Sequence, residues 1–246
     1  MTIKFETINS ITAITDLLWP PRCAACGQRI EIGDDNIYGK AFCLTCAQSI
    51  LPVKTPKCPR CAIVFDAGNS DHLCGHCIKK PPSFIATHSF FEYGEAIARA
   101  ISRLKYEPAP WIQRPLGALM RAALPPLERP DFVVPIPLHP TRLRQRGFNQ
   151  SALLARHIAK QLNTKINTNI LIRINDDPPQ ARKSRAERIN AMSKAFKVLP
   201  TKKIIGSKIL LFDDVITTTA TIESAAEALA QAGCKQIFAI SLARTM

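Results

Sequence analysis

The chain has 246 residues, of which 46% are hydrophobic; it is long enough for one α/β domain and a smaller module, and too short for two full domains. No apolar run reaches the roughly 18 residues that a membrane span requires, and the first residues lack a basic stretch before an apolar one. We therefore expect neither a membrane span nor a signal peptide, and a cytoplasmic protein. The formal net charge is +14, and residues after position 80 hold 24 of the 33 basic side chains but 12 of the 19 acidic ones. A basic surface of this kind suits a sugar phosphate or a nucleic-acid backbone, although a merely soluble basic protein has the same composition.

Residues 1–19 have an amphipathic pattern. Ile8, Ile11 and Leu18 recur at near-helical spacing before two prolines end the pattern. Such a segment can pack on the protein, dock a partner or touch a membrane surface, and we favour ordinary packing.

Eight of the nine cysteines occur as four CxxC pairs within residues 20–80. A CxxC turn places two thiolates on one side of a tight knuckle, and two knuckles complete a tetrahedral zinc site. Disulfides are disfavoured in a reducing compartment, and four copies without a βαβ pattern do not make a redox site. We favour pairing in sequence over a cross-braced arrangement, because each ribbon then closes on a short loop. The predicted double zinc ribbon has two closed, structural sites, formed by Cys23, Cys26, Cys43 and Cys46 and by Cys58, Cys61, Cys74 and Cys77.

An α/β domain is predicted for residues 82–246. The pattern of apolar residues predicts a strand at 84–91, a helix at 93–106, a short buried strand at 132–136, a helix from about 149 to 162, and a last buried strand at 236–242.

Three arginines follow the strand predicted at 132–136, on what we expect to be a loop. Arg142, Arg144 and Arg146 have no acidic residue nearby. Arginines at a strand end can bind a pyrophosphate or a nucleic-acid phosphate by bidentate hydrogen bonds. A solvated basic loop is the alternative.

A polar turn at 176–179 begins a second basic stretch. Residues 182–203 contain eight basic side chains and one acidic one. On composition alone, a basic surface hairpin explains this stretch as well as a ligand-binding loop does.

The most informative stretch is residues 208–222, KILLFDDVITTTATI. Four apolar residues at 209–212 predict a buried parallel strand ending at Asp213 and Asp214, and residues 222–232 predict a helix. The loop between them lies at the carboxyl end of the strand, where open α/β sheets bind ligands. Small residues, hydroxyls and helix-start amides there suit a phosphate, and the carboxylates can accept hydrogen bonds from the vicinal hydroxyls of a sugar, directly or around Mg²⁺. The loop consists of Thr217, Thr218, Thr219, Ala220 and Thr221.

Two other interpretations of this stretch remain. A strand ending in two aspartates also binds magnesium in nucleotide hydrolases, but the chain has no GxxxxGK[ST] loop to accompany it. An ordinary strand end before a capped helix has the same residue types, because Asp and Thr are common N-caps.

The same stretch resembles the phosphoribosyl-pyrophosphate signature of type I phosphoribosyltransferases, in which an apolar strand, Asp-Asp and Thr-Thr-Gly-x-Thr precede a helix. The resemblance implies that Asp213 and Asp214 hold the ribose hydroxyls, that residues 217–221 hold the 5′-phosphate, and that the three arginines face the pyrophosphate. Thr219 stands where the family has glycine. Threonine would be costly there if the backbone needed a positive φ.

Over nearly its full length the chain resembles the ComF competence-protein family, whose members join a zinc module to a type I phosphoribosyltransferase domain. The four CxxC pairs, Leu104-Lys105-Tyr106, Arg146-Gly-Phe-Asn-Gln150 and the Asp-Asp-Val-x-Thr-Thr loop carry the resemblance. It implies a parallel sheet flanked by helices, behind the double zinc ribbon. It also implies a flexible loop that closes over the pyrophosphate, matched here by Gln180, Arg182, Lys183 and Arg188.

Membership of that family implies a role in DNA uptake during natural transformation, with structural Zn²⁺ and with Mg²⁺ accompanying phosphoribosyl pyrophosphate. Any reaction would be displacement of pyrophosphate at the anomeric carbon; the sequence identifies neither a general base nor an acceptor pocket. Two alternatives stay open. One is a non-catalytic protein that binds single-stranded DNA through cationic grooves and aromatic side chains. The other is a zinc-stabilised adaptor for DNA-import proteins at the inner face of the membrane.

Overall fold

The computed structural model describes residues 21–30, 41–175 and 195–246. The amphipathic segment predicted at 1–19 lies outside the described residues, as do Gln180, Arg182, Lys183 and Arg188 of the predicted flexible loop. Among the helices of the described ranges, none combines the length and apolarity needed to cross a bilayer.

The α/β domain contains most of the regular structure. The described α-helices are α1 (Leu44–Gln48), α2 (Gly75–Lys79), α3 (Glu95–Tyr106), α4 (Gln113–Ala122), α5 (Pro140–Arg146), α6 (Gln150–Gln161) and α7 (Ala220–Gln231). The strands are β1 (Ala86–Glu92), β2 (Phe132–Pro135), β3 (Lys165–Ile166), β4 (Leu171–Arg173), β5 (Phe196–Val198), β6 (Lys208–Ile216) and β7 (Gln236–Arg244). Short 3-10 turns lie at Pro110–Ile112 and Lys202–Ile204.

Five strands form a parallel sheet in the order β1-β7-β6-β2-β3. Strands β6 and β7 pair from Lys208 and Gln236 at one end to Ile216 and Arg244 at the other. A second, two-stranded antiparallel sheet joins β4 and β5, which precede and follow residues 176–194. The predicted parallel sheet flanked by helices is confirmed.

Alternate side chains of the central strand enter two cores on opposite faces of the sheet. Leu210 and Phe212 belong to the core that contains residues of α3, α4 and α6. Ile209 and Leu211 belong to the core that contains residues of α7 and β5. Because successive residues of a strand point to opposite faces, one apolar run supplies both cores. Burying each such side chain stabilises the fold by roughly 1.5–3 kcal/mol.

Helices α4 and α6 approach each other closely at Gly117. A Cβ atom at this position would lie 2.3 Å from the His157 ring. His157 makes hydrogen-bond contacts with Gln113 and, at 2.6 Å, with Nη1 of Arg121. This close approach accounts for a glycine inside a helix, where it costs up to about 1 kcal/mol relative to alanine.

The first cysteine group shares a core with the α/β domain. Cys23 and Phe42 are fully buried in the same cluster as Leu104 of α3. Arg103, also on α3, donates from Nη1 to the carbonyl oxygens of Cys23 and Ala24, at 2.9 and 3.1 Å. The first ribbon is thus part of the packing that covers one face of the sheet.

The second cysteine group has a small core of its own. Cys58, Cys61 and Cys77 are buried together with Phe65 packed against them. Arg244, at the end of β7, links this group to the larger domain: it donates to the carbonyl oxygen of Cys61 at 2.8 Å, in a buried hydrogen bond.

The three arginines expected on a loop instead lie on helix α5, so that prediction was wrong. Pro140 at the first helical turn has a φ already suited to a helix. Gly147, with φ of 79°, ends the helix in the left-handed region. Arg142, Arg144 and Arg146 therefore project from a regular backbone.

The central strand also runs further than predicted, to Ile216 rather than ending at Asp213 and Asp214. Asp213 remains paired with Ser241 of β7. Pairing between strands uses backbone N–H and C=O groups, so polar side chains such as these do not end the strand. Both aspartates consequently lie within the strand and not at its end.

Candidate functional site

The eight paired cysteines converge in two groups of four, in the sequential arrangement expected. The sulfur atoms of each group lie within 4.8 Å of one another. The Sγ–Sγ distance is 3.8 Å between Cys26 and Cys43 and 3.7 Å between Cys61 and Cys74. Four sulfurs bound tetrahedrally at about 2.3 Å from a zinc ion are about 3.8 Å apart. The described cysteines form no disulfide, and the donor set fits two structural zinc ions.

One cysteine of each group is poised to be a thiolate. Burial alone would raise the pKa of Cys23, but backbone hydrogen bonds from Cys26 and Cys43 outweigh it and lower the pKa to about 7. The pKa of Cys58 is lowered to about 7 in the same way. Burial and neighbouring sulfurs raise the pKa of Cys61 to about 11, so binding of the metal ion must deprotonate it.

Asp213 and Asp214 lie side by side near the carboxyl end of β6. Oδ1 of Asp213 accepts the backbone N–H of Asp214 at 2.9 Å. The Ser151 hydroxyl lies 3.2 Å from Oδ1 of Asp213 and 3.3 Å from Oδ1 of Asp214. Burial and the charge of Asp214 raise the pKa of Asp213 well above its ordinary value. Two carboxylate oxygens thus converge on one point.

A lysine from another helix completes the surroundings of the pair. Nζ of Lys105 on α3 lies 2.5 Å from Oδ2 of Asp214, and the two side chains are 21% and 6% exposed. Dissolved salt screens the attraction within a partly buried ion pair of this kind much less than it screens a surface pair.

The Arg-Gly-Phe-Asn-Gln segment builds one wall of the site. Asn149 accepts the N–H groups of Ser151 and Ala152, which caps α6, and donates to the carbonyl oxygen of Ile136. Gln150 Nε2 then donates to Oδ1 of Asp214 at 3.2 Å. The segment therefore fixes the start of α6 against the ends of β2 and β6.

Sequence reasoning missed Lys105, Gln150 and Ser151 as neighbours of the carboxylates. Lys105 and Gln150 belong to motifs that carried the family resemblance, Leu104-Lys105-Tyr106 and Arg146-Gly-Phe-Asn-Gln150. These motifs were the available signal in the sequence, but a motif does not show which residues its side chains contact.

The threonine loop follows the carboxylates at the same end of the sheet. Thr217 and Thr218 are exposed, and Ala220 begins α7. Thr219 has φ of −74°, so threonine in place of glycine is not strained. Its hydroxyl donates to Oε1 of Glu223 at 2.5 Å. The departure from the usual signature thus has a side-chain consequence and no backbone cost.

The second cysteine group reaches this loop through one side chain. Nε2 of His76 lies 3.6 Å from Oε1 of Glu223, the same oxygen that accepts the Thr219 hydroxyl. A carboxylate therefore stands within the first turn of α7, beside the predicted phosphate loop.

The three arginines of α5 do not act as one set. Nη1 of Arg146 donates to Oε1 of Gln150 at 2.6 Å, and its guanidinium lies 5.2 Å from the centre of the Tyr106 ring. Arg144 is exposed and Arg142 half-buried. Arg146 supports the wall of the site, and the other two remain candidates for phosphate contact.

A cavity of about 620 Å³ lies at the opposite end of the sheet from the carboxylates. It is lined by Phe132 and Lys165 at the starts of β2 and β3, by Ser207 just before β6, and by Arg129 and Lys203. Because ligands of open parallel sheets bind at the carboxyl ends of the strands, we do not assign the sugar-phosphate site to it.

The models of two domain families match different parts of the chain. The double zinc ribbon domain matches residues 14–78, and the phosphoribosyl transferase domain matches residues 149–246.

Several curated proteins match most of the chain. Competence protein F of Haemophilus influenzae is 28% identical over 91% of this chain and 96% of its own length. DNA utilization protein YhgH of Escherichia coli is 27% identical over 92% of this chain and 98% of its own length. Competence protein ComFC of Streptococcus pneumoniae is 25% identical over 91% of this chain and 100% of its own length.

Proposed function

We propose that the protein acts in DNA uptake or DNA use, because its resemblance to the ComF competence-protein family extends over most of its length, where curated relatives are 28% and 25% identical. We propose further that its phosphoribosyltransferase-type domain binds phosphoribosyl pyrophosphate with Mg²⁺. The names of the relatives, competence protein F and DNA utilization protein, support the first part. We place this role in the cytoplasm, peripheral to the inner membrane, where incoming single-stranded DNA and import proteins would be met.

The observation that carries the ligand assignment is the convergence of two carboxylates just before a helix start. Oδ1 of Asp213 and Oδ1 of Asp214 both lie within hydrogen-bond distance of the Ser151 hydroxyl, so the two carboxyl groups are close enough together to accept from the neighbouring hydroxyls of one ribose. The threonine loop and the first amides of α7 follow directly, and a helix start favours a phosphate. A ribose 5-phosphate matches this order of acceptors and donors.

The chain's own residues then have distinct roles in the proposed complex. The carboxylates accept the ribose hydroxyls, residues 217–221 donate to the 5′-phosphate, and Arg142 and Arg144 face the pyrophosphate. Arg146 acts through Gln150, which positions Asp214. Mg²⁺ binds oxygen ligands such as those of a pyrophosphate, and the bound ion would supply charge neutralisation there.

Calorimetric titration of phosphoribosyl pyrophosphate with Mg²⁺ into the zinc-loaded protein tests this assignment. We expect binding by the natural chain and none by the variant with Asp213→Asn and Asp214→Asn. Zinc content must be the same in both proteins, which shows that the variant is folded. Unchanged binding by the variant would overturn the site.

Single-stranded DNA is a second candidate ligand, which the charge distribution favours. Residues after position 80 carry 24 basic and 12 acidic side chains. Tyr106 is 76% exposed and Trp111 37% exposed, and exposed aromatic rings can stack on bases. Each lies beside an arginine, Arg146 and Arg103 respectively.

The salt dependence of DNA binding tests this candidate. Each phosphate contact contributes about 0.7 to the slope of log affinity against log salt for single strands. Replacing Arg142 and Arg144 by Ala should therefore lower the slope by about 1.4. Arg129→Ala, at the other end of the sheet, is the matched control. A double variant with the slope of the natural chain would remove α5 from any DNA-binding groove.

A further inference from the structure

The ion pair between Lys105 and Asp214 is largely buried and lies within the proposed ligand site. Asp214 is 4% exposed, and its Oδ2 accepts no geometrically sound hydrogen bond. The only described cation within ion-pair distance of that oxygen is Nζ of Lys105, at 2.5 Å. The contact is thus electrostatic, between one buried oxygen and one ammonium group.

The two oxygens of Asp214 therefore have different surroundings. Oδ1 accepts from Gln150 and lies beside the Ser151 hydroxyl, which are neutral donors. Oδ2 faces the positive charge of Lys105. A divalent cation that used both carboxylates would have to displace the ammonium group or bind next to it, and like charges a few ångströms apart repel strongly in a partly buried site.

The arrangement of the two carboxyl groups leads to the same conclusion. The two aspartates are adjacent, and their Oδ1 atoms lie 3.2 and 3.3 Å from the same Ser151 hydroxyl. Without Lys105, two adjacent carboxylates at one strand end would form an oxygen-rich anionic site of the kind that Mg²⁺ and Mn²⁺ bind.

We propose that Lys105 is the internal counter-cation of the Asp213 and Asp214 pair, and that it makes the pair select a vicinal diol over a directly coordinated divalent metal ion. This is a specificity-determining role for the proposed function, on which the inference rests. The ammonium group occupies Oδ2 of Asp214, and the remaining lone pairs of the two carboxyl groups are left to accept hydroxyl groups.

Manganese binding by the unliganded, zinc-loaded protein tests the proposal without any sugar phosphate. Mn²⁺ alone, followed by electron paramagnetic resonance, serves as the probe. The variant Lys105→Met removes the charge and keeps the length of the side chain. We expect it to gain one Mn²⁺ site at least about tenfold tighter than any in the natural chain, because the repelling charge is gone.

Matched variants identify the origin of that site. Lys105→Arg keeps the charge and should bind Mn²⁺ as the natural chain does. Lys208, at the start of β6, forms an ion pair with Glu128. Lys208→Met removes that ion pair and should also bind Mn²⁺ as the natural chain does. Combining Lys105→Met with Asp214→Asn should abolish the new site. If Lys105→Met does not fold, Lys105→Gln carries the same expectation.

The Mn²⁺ measurement distinguishes failure of the proposed role of Lys105 from failure of the proposed sugar-phosphate ligand. No gain of Mn²⁺ affinity in the charge-removing variants would overturn the role of Lys105, whatever the sugar phosphate does. A new Mn²⁺ site in a protein that does not bind phosphoribosyl pyrophosphate would uphold Lys105 as counter-cation and overturn the ligand.

Discussion

Two buried or half-buried side chains outside the candidate site, His88 and Arg244, affect stability through their charge. His88 lies on β1 beside Phe90, with the rings 5.2 Å apart and perpendicular. Burial and the charge of Lys57 lower its pKa from 6.5 to about 4. Between these values the unfolded chain binds a proton that the folded chain does not, so stability falls as the pH drops through this window.

His88→Phe should remove that part of the acid sensitivity. At pH 5 we expect the free energy of unfolding of the natural chain to have fallen by about 1 kcal/mol more than that of the variant, after allowance for solvent screening. Denaturant unfolding at pH 7.5 and pH 5 measures the difference. Acid-driven loss of zinc affects both proteins and cancels in the comparison. Parallel pH profiles would show that His88 is not the titrating group.

Arg244 joins the last strand to the second cysteine group. It is 5% exposed, and burial lowers its pKa. It donates to the carbonyl oxygen of Cys61 and stands near four sulfurs that carry a net negative charge when zinc is bound.

Arg244→Met should therefore weaken one of the two zinc sites. A hydrogen bond from a charged group contributes about 1.5–3 kcal/mol, so a chelator should remove one zinc ion at about tenfold lower concentration. Arg129→Met, at an exposed position, should behave as the natural chain does. Equal chelator resistance in all three proteins would contradict a structural role for Arg244.

At the scale of elements, local patterns predicted the sheet well and the site only in part. The apolar run at 209–212 and the CxxC pairs are local signals, and both led to the observed structures. The contacts of the carboxylates are not local, since Gln150 and Asp214 stand 64 positions apart. Helix α5 was mistaken for a loop because Pro140 reads as a turn residue as easily as a helix start.

Helix α7 carries a carboxylate where the proposed 5′-phosphate would bind. Glu223 accepts the Thr219 hydroxyl and faces His76. A negative charge in the first turn stabilises the helix by roughly 0.3–1 kcal/mol, but it repels a phosphate at the same place.

Glu223→Gln should thus raise the affinity for phosphoribosyl pyrophosphate, by about threefold to tenfold. Calorimetric titration measures it at low ionic strength. Glu227→Gln, one turn further along α7 and exposed, is the matched control and should bind as the natural chain does. Weaker binding by Glu223→Gln alone would mean that Glu223 helps to form the phosphate loop.

At the scale of the whole molecule, the two cysteine groups are attached differently. The first group belongs to the large core that includes Leu104 of α3 and Phe212 of β6. The second has a separate core of its own residues. The arrangement indicates that the first metal site supports the α/β domain and that the second is stabilised more locally.

Loss of the zinc ion of the first cysteine group should accordingly lower the unfolding temperature more than loss of the zinc ion of the second. Cys46→Ser and Cys74→Ser each remove one half-buried ligand, and each protein should retain about one zinc ion per chain. We expect Cys46→Ser to lower the main calorimetric unfolding temperature by at least about 5 °C, which corresponds to roughly 2 kcal/mol for a chain of this size. Cys74→Ser should lower it by less than about 2 °C, because the described residues of that core form a cluster separate from those of the sheet. Amide exchange in β6 should rise in the first variant only. Equal shifts in both variants would show that the two ribbons unfold with the α/β domain as one cooperative unit.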